Sequence, residues 1–185
     1  MAFADELVEA ASEDRSAYRY TPVPADVDGM VRYIANLLDR RDGGLALPFV
    51  TRRVADGRVV GCTRFDNLEY WDWDGGDDQP DVAEIGGTWL AASAQRTAVN
   101  TEAKLLQFAH AFDRWHVQRL FLKTDARNER SRAAIERIGA RFEGVLRNQM
   151  PAVDHPGPRD SAYFSVTPEE WPAVRSRLAA RLVGG

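Results

Sequence analysis

From Asp26 onward the apolar residues Val27, Met30, Val31, Ile34 and Leu38 recur at a 3.6-residue period. That pattern predicts a helix with one buried stripe, and Asp42-Gly43-Gly44 supplies its stop. Two β-rich runs follow, residues 47–54 and 58–65, joined at Asp56-Gly57, a dipeptide that accepts the positive φ angles of a tight hairpin. Residues 66–81 read as a loop, with Gly75-Gly76 and Pro80. The strand expected over 82–90 is interrupted by Gly86-Gly87, a pair that points to a bulge or a close backbone approach. Residues 100–115 are amphipathic, with Leu105, Leu106, Phe108, Ala109 and Phe112 on the apolar face and Asn100 as the expected N-cap. A strand over 118–124 precedes a helix over 128–138, capped by Asn128 and ended by Gly139. Two strands, 141–150 and 161–166, lead to a last helix with a capping box, Thr167 with Glu170, Pro168 at its first position, and a stripe of Trp171, Val174, Leu178 and Leu182. At the front, residues 6–11 form a short helix, and residues 16–24, broken by two prolines and carrying Tyr18 and Tyr20, form a connector. The order α, α, β, β, β, α, β, α, β, β, α predicts one domain over residues 1–185, of α/β or α+β class, with helices flanking a mixed sheet.

Composition agrees with a folded domain: of 185 residues, 44% are hydrophobic and 28% charged, far from the disordered corner. A net charge of -4 leaves no global basic field for a phosphate backbone, so nucleic acid is not the expected partner. Cys62 is the single cysteine and cannot make an internal disulfide. The opening residues lack the basic start and apolar core of a secretory signal, and no run nears the ~18 apolar residues of a membrane span. A soluble, cytoplasmic chain without a membrane partner is expected.

The chemistry concentrates at strand 82–90 and the turn after it. Gln95-Arg96-Thr97-Ala98-Val99-Asn100 opens a helix, whose unsatisfied backbone N–H groups and dipole can cradle a phosphate or pyrophosphate. The turn lacks the glycines of a dinucleotide fingerprint and the Gly-Lys-Ser/Thr of a triphosphate loop, and on its own it reads first as an ordinary capped helix. Strand alternation places Val82, Glu84, Gly86 and Thr88 on one face. His110, His116 and His155 have no metal-ligand spacing, so no metal is expected, and Cys62 has no partner that would favour a covalent acyl-enzyme.

Several spaced segments resemble the GNAT superfamily of acyl-CoA-dependent N-acetyltransferases. They are Asn100-Thr101-Glu102-Ala103-Lys104-Leu105-Leu106, His110-Ala111-Phe112, Lys123 to Ser131, Ile138-Gly139-Ala140 and Glu143 to Arg147. Within the superfamily they look like the Rim-type branch, named for enzymes that acetylate the amino termini of ribosomal proteins. The resemblance runs from about residue 20 to 182 and is specific between 82 and 147. It implies a GNAT-like fold with acetyl-CoA as cosubstrate and its pyrophosphate wrapped by Gln95, Arg96, Thr97, Ala98, Val99, Asn100 and Thr101. Ala98 and Asn100 stand where the commonest family pattern has small residues, and Asn100 matches the Asn-Thr-Glu-Ala-Lys form of this branch. It further implies that the strand at 82–90 bulges at Gly86 and Gly87 and splays from the next, exposing backbone to the pantetheine arm, and that Asn128 lines the cofactor channel. Glu84 is similar to the family's base for the incoming amine, directly or through water. The tyrosine that protonates the leaving thiolate in many members is Ile135 here, and Ser131 occupies the position of a serine given that role in Rim-type relatives. The family's first strand has no counterpart, which implies a sheet one strand shorter or an edge covered by a neighbouring subunit, as in a homodimer.

Residues 66–81 contain Asp66, Glu69, Asp72, Asp74, Asp77, Asp78 and Asp81 with no Lys or Arg, and also Tyr70, Trp71 and Trp73. Acidic and aromatic groups together suit a cationic amine. The expected reaction is acetyl transfer to a primary amine, a protein amino terminus or a small amine. The alternatives are a polyamine or aminoglycoside acceptor and a non-catalytic acyl-CoA-binding or regulatory module.

Overall fold

The computed structural model describes residues 2–72 and 78–183. The elements follow in the expected order: α1 (Ala4–Ser12), α2 (Val27–Asp42), β1 (Ala46–Arg52), β2 (Val59–Glu69), β3 (Val82–Leu90), α3 (Ala98–Asp113), β4 (Arg119–Asp125), α4 (Glu129–Ile138), β5 (Arg141–Pro151), β6 (Pro158–Val166) and α5 (Trp171–Val183). The six strands form one sheet in the order β1-β2-β3-β4-β6-β5, in which β3 and β4 run parallel and every other neighbouring pair is antiparallel. Among the described residues no strand precedes α1, so β1 lies at the sheet edge.

Each face of the sheet has its own core. Phe65, Ala83, Ile85, Leu120, Leu122 and Phe164 pack against α3, α4 and α5 through Phe108, Phe112, Ile135, Ile138, Trp171 and Leu178. Val60, Cys62 and Trp89 pack against α1 and α2 through Leu7, Ala10, Ala11 and Met30. Burying a Leu, Phe or Met side chain contributes about 1.5–3 kcal/mol, so these contacts hold the helices to the strands that carry the site.

Local chemistry sets the helix ends. Asp26 caps α2 by accepting from Gly29 N at 2.7 Å, and Asn128 caps α4 by accepting from Ser131 N at 3.1 Å. Gly139 ends α4 at φ +105°. The Glu170 side chain reaches back to Thr167 N at 3.0 Å, the return half of the expected capping box, and helical geometry begins at Trp171.

Four expectations are corrected. The hairpin turn is wider than two residues: only Gly57 has positive φ, Arg53 N bonds Arg58 O, and the Asp56 carboxylate is used by Arg53. Helix α3 starts two residues early, with Thr97 and not Asn100 as its N-cap. Leu106 is 65% exposed, and Lys104 and Gln107 lie on the buried face instead. Strand β2 runs on to Glu69, so Asp66 and Glu69 belong to a strand and not to a loop.

Candidate active site

Strands β3 and β4 pair only at Val82–Arg119, Ala83–Leu120 and Glu84–Phe121, after which both continue without pairing each other. Beside this opening β3 carries one extra residue against β2, between the pairs Gly86–Arg64 and Trp89–Cys62. Gly87 makes the bulge at φ +55°, and a Cβ there would fall 1.8 Å from Arg64 Nη1. The expected bulge and splay are both present, and the bulge is made by a left-handed residue backed by a guanidinium with no room for a side chain.

Glu84 is the last residue of β3 in register with β4, and it is 4% exposed. Its neighbours Ala83 and Ile85 enter the core under α3, so strand alternation turns Glu84 to the opposite face. Oε2 pairs with Lys123 Nζ at 2.9 Å across the opening and accepts from Asn67 Nδ2 at 2.5 Å. Oε1 has no hydrogen-bond partner among the described residues, and a Cβ on Gly86 would lie 2.8 Å from it. Gly86 thus clears space for the carboxylate itself. Asn67 reaches Glu84 because β2 bulges between Asp66 and Glu69 with Asn67 at φ +46°, a left-handed position that asparagine tolerates. Asn67 is marked by no local motif, and Lys123, which opens the segment Lys123 to Ser131 and breaks the apolar run Leu120-Phe121-Leu122, is given no site role by the sequence. Its Nζ stands 5.9 Å from the Phe121 ring centre and 5.8 Å from that of Tyr163, and these two rings stack.

The turn before α3 is built for backbone donation. The Gln95 side chain points inward, with Nε2 donating to Leu90 O at 2.9 Å and Oε1 accepting from Arg130. Arg96 sits at φ +61°, and Arg96, Thr97 and Ala98 are exposed. Thr97 Oγ1 takes the Val99 N–H at 3.3 Å, and the Val99 side chain packs into the core beneath α1. Asn100 and Thr101 are half-buried, and Asn100 Oδ1 has no hydrogen-bond partner among the described residues. The N–H groups at the start of α3 that no cap takes are available to an anion, with Arg130 brought to this turn by its contact with Gln95. The placement of Arg130 beside this turn is not legible in the sequence, because its contact with Gln95 spans 35 positions in the chain.

That contact also sets the start of α4 next to the start of α3. Asn128 holds the first turn of α4 through Ser131 N, and Ser131 is half-buried with no partner for Oγ among the described residues. Ile135 is buried in the core, so α4 offers no phenol there.

Within the acidic segment Asp66 is compensated by two arginines from outside it. Asp66 pairs with Arg64 at 2.7 Å and with Arg40; burial alone would raise its pKa, but the two guanidiniums outweigh it and hold the carboxyl below its ordinary range. Asp81 accepts from Trp71 N at 2.7 Å. Glu69, Asp72 and Asp78 are exposed, while Trp73, Asp74 and Asp77 lie outside the described residues. Among the described residues no group of His, Cys, Asp and Glu is placed to hold a metal, and no helix is long and apolar enough to cross a membrane.

The family model of the acetyltransferase (GNAT) domain matches residues 3–141, and the chain belongs to this family. Solved structures agree. A GCN5-related N-acetyltransferase from Brucella melitensis has TM-score 0.81 at 27% identity, covering 96% of this chain and 76% of its own. RimJ of Mycobacterium smegmatis, in complex with CoA-disulfide, has TM-score 0.77 at 23% identity, covering 97% and 84%. The ribosomal-protein-S5-alanine acetyltransferase of Vibrio fischeri has TM-score 0.70 at 15% identity, covering 92% and 90%. No curated protein matches the chain. The protein is an acyltransferase of the GNAT fold, and its reaction class is acetyl-CoA-dependent acetyl transfer.

Proposed function

We propose that this enzyme moves an acetyl group from acetyl-CoA to a primary amine by direct attack, with Glu84 as the general base. The observation that carries this reading is the division of labour on the Glu84 carboxylate: Oε2 is pinned by Lys123 and Asn67, while Oε1 stands free over Gly86 where β3 leaves β4. A carboxylate fixed in this way can take a proton from an amine without first reorganising. The amine nitrogen bonds to the thioester carbonyl carbon, the carbon–sulfur bond breaks, and the departing thiolate takes a proton from Ser131 or from water.

Acetyl-CoA enters with its pyrophosphate at residues 95–101, on the backbone N–H groups and with Arg130 as an added cation, and with its pantetheine arm in the opening between β3 and β4. The CoA compound bound by M. smegmatis RimJ supports this choice of cosubstrate. For the acceptor, the two Rim-type neighbours favour a peptide amino terminus over a polyamine or aminoglycoside. The segment over residues 66–81 contributes less than its composition suggests, since Asp66 is already neutralised.

An acetyl-CoA turnover screen across peptides of different first residue, polyamines and aminoglycosides, reading free thiol, tests this. Peptide-selective turnover is expected. Turnover with polyamines alone would reassign the acceptor, and absence of coenzyme A binding by calorimetry would remove the cofactor assignment.

A further inference from the structure

Of the 24 basic side chains only two are lysines, Lys104 and Lys123; the other 22 are arginines, whose guanidinium stays protonated and is not a nucleophile. Lys104 is sealed beneath α3, where its ammonium donates to Thr63 Oγ1, Thr88 Oγ1 and Gln107 Oε1. Lys123 stands on the other face, two residues past Phe121, on the part of β4 that has already parted from β3. Its side chain is 13% exposed, and its nitrogen lies 2.9 Å from Glu84 Oε2. The chain therefore holds one of its two ε-amines against the carboxylate assigned as base, at the mouth of the opening assigned to the thioester.

We propose that Lys123 is an internal acetyl acceptor: with acetyl-CoA bound and no external amine present, the enzyme acetylates its own Lys123 Nζ. The inference rests on the placement of the thioester given under Proposed function. Glu84 removes a proton from the Lys123 ammonium, and the freed nitrogen bonds to the thioester carbonyl carbon. The carbon–sulfur bond breaks, and coenzyme A leaves as the thiol, taking up the second proton that the nitrogen loses. One acetyl-CoA is consumed, one amide and one coenzyme A form, and the proton held by Glu84 passes to solvent. Nucleophile and base are held on adjacent strands at hydrogen-bonding distance, which removes most of the entropic cost of their encounter. The product is neutral, so Glu84 Oε2 keeps Asn67 and loses its ion pair. Acetylation would thus mark the enzyme at the residue that orients its base.

The test is to incubate the full chain with isotope-labelled acetyl-CoA and no acceptor, then to follow intact mass and map labelled peptides. The expected result is one acetyl per chain, on Lys123. Labelling should be at least ~10-fold slower in Glu84→Gln, since the general base is gone. Lys123→Arg, which keeps a cation beside Glu84, should take no label at position 123 while melting like the parent. Label confined to the terminal amine, no label at all, or equal rates in the parent and Glu84→Gln would overturn the proposal. Coenzyme A calorimetry on the same sample separates the failures: binding without labelling refutes the internal acceptor alone, and no binding refutes the cofactor assignment as well.

Discussion

Lys104 offers a quantitative check on the packing between α3 and the bulged strand. Its residue is 4% exposed and, among the described residues, its ammonium meets only neutral oxygens, Thr88 Oγ1 at 2.8 Å, Gln107 Oε1 at 3.1 Å and Thr63 Oγ1 at 3.2 Å. Burial without a carboxylate pushes its pKa down from 10.5 to about 7. In the unfolded chain the same amine stays protonated to far higher pH, so between those values the unfolded state binds more protons and stability rises with pH. Integrating from pH 7 to about pH 8.5 gives a gain on the order of 1–2 kcal/mol, and at pH 7 the lysine costs the fold on the order of 4 kcal/mol relative to a group with no charge to bury. The window ends there because burial pushes the Cys62 thiol up to about 11, and its unfolded counterpart ionises earlier, which works in the opposite direction. Lys104→Met keeps the volume roughly constant, and Thr63, Thr88 and Gln107 keep the hydrogen bonds they make to one another, 2.7 Å for Thr63–Thr88 and 3.3 Å for Thr63–Gln107. Urea unfolding at closely spaced pH values should show parent stability climbing by on the order of 1–2 kcal/mol across the window, with Lys104→Met flat and more stable at its lower end. Parallel curves for the two proteins would mean that the amine is charged and solvated in the native state, and the burial argument would fail.

Glu84→Gln should lower turnover by ~10²-fold or more while coenzyme A affinity, read by calorimetry, stays within a few-fold. Ser131→Ala should lower kcat with α4 intact by circular dichroism if its hydroxyl returns the proton; an unchanged kcat would assign that step to water. Gly86→Ala brings a methyl within 2.8 Å of Glu84 Oε1 at an ordinary backbone angle, so kcat should fall by about 10-fold or more with little loss of melting temperature. Gly87→Ala, at φ +55° and against Arg64, should instead destabilise the fold by about 1–3 kcal/mol and weaken coenzyme A binding, because it disturbs the bulge itself. Equal effects of the two alanines on stability would show that the glycines share one backbone role.

The order of elements was legible because the two periodicities are local properties of the chain, and the strongest stripes, such as Phe108 with Phe112 and Trp171 with Leu178, are buried as expected. Where expectation failed, the deciding partner lay far along the sequence or two local signals competed. Thr97 and Asn100 are both capping residues three positions apart, and apolar spacing cannot rank them; the chain's exit from β3 does, with Thr97 Oγ1 also donating to Ala94 O at 2.7 Å. Leu106 fits the apolar face by its type, yet α3 turns Lys104 and Gln107 to the sheet because Thr63 and Thr88 there present hydroxyls. The acidic segment stands out by composition, and composition carries no information about Arg40, whose pairing with Asp66 crosses 26 positions.

Glu84 and Gly86 were found on one strand face, but the reason Glu84 can act as a base was not visible in that strand. It comes from a bulge in β2 that aims Asn67, from Lys123 on a strand that pairs with β3 for only three residues, and from the absent side chain at Gly86. Each supplies one constraint on the carboxylate: two donors fix Oε2, and one glycine leaves Oε1 room. Local pattern identifies residue types able to do chemistry, whereas a base becomes usable through register and bulge position, which only the assembled sheet specifies. It follows that Asn67→Ala, far from any motif, should lower kcat more than it raises the KM for acetyl-CoA, because it removes one of the two donors that hold Oε2 without touching the turn before α3. An effect confined to that KM would place Asn67 on the cofactor side of the opening and refute its role in holding the base.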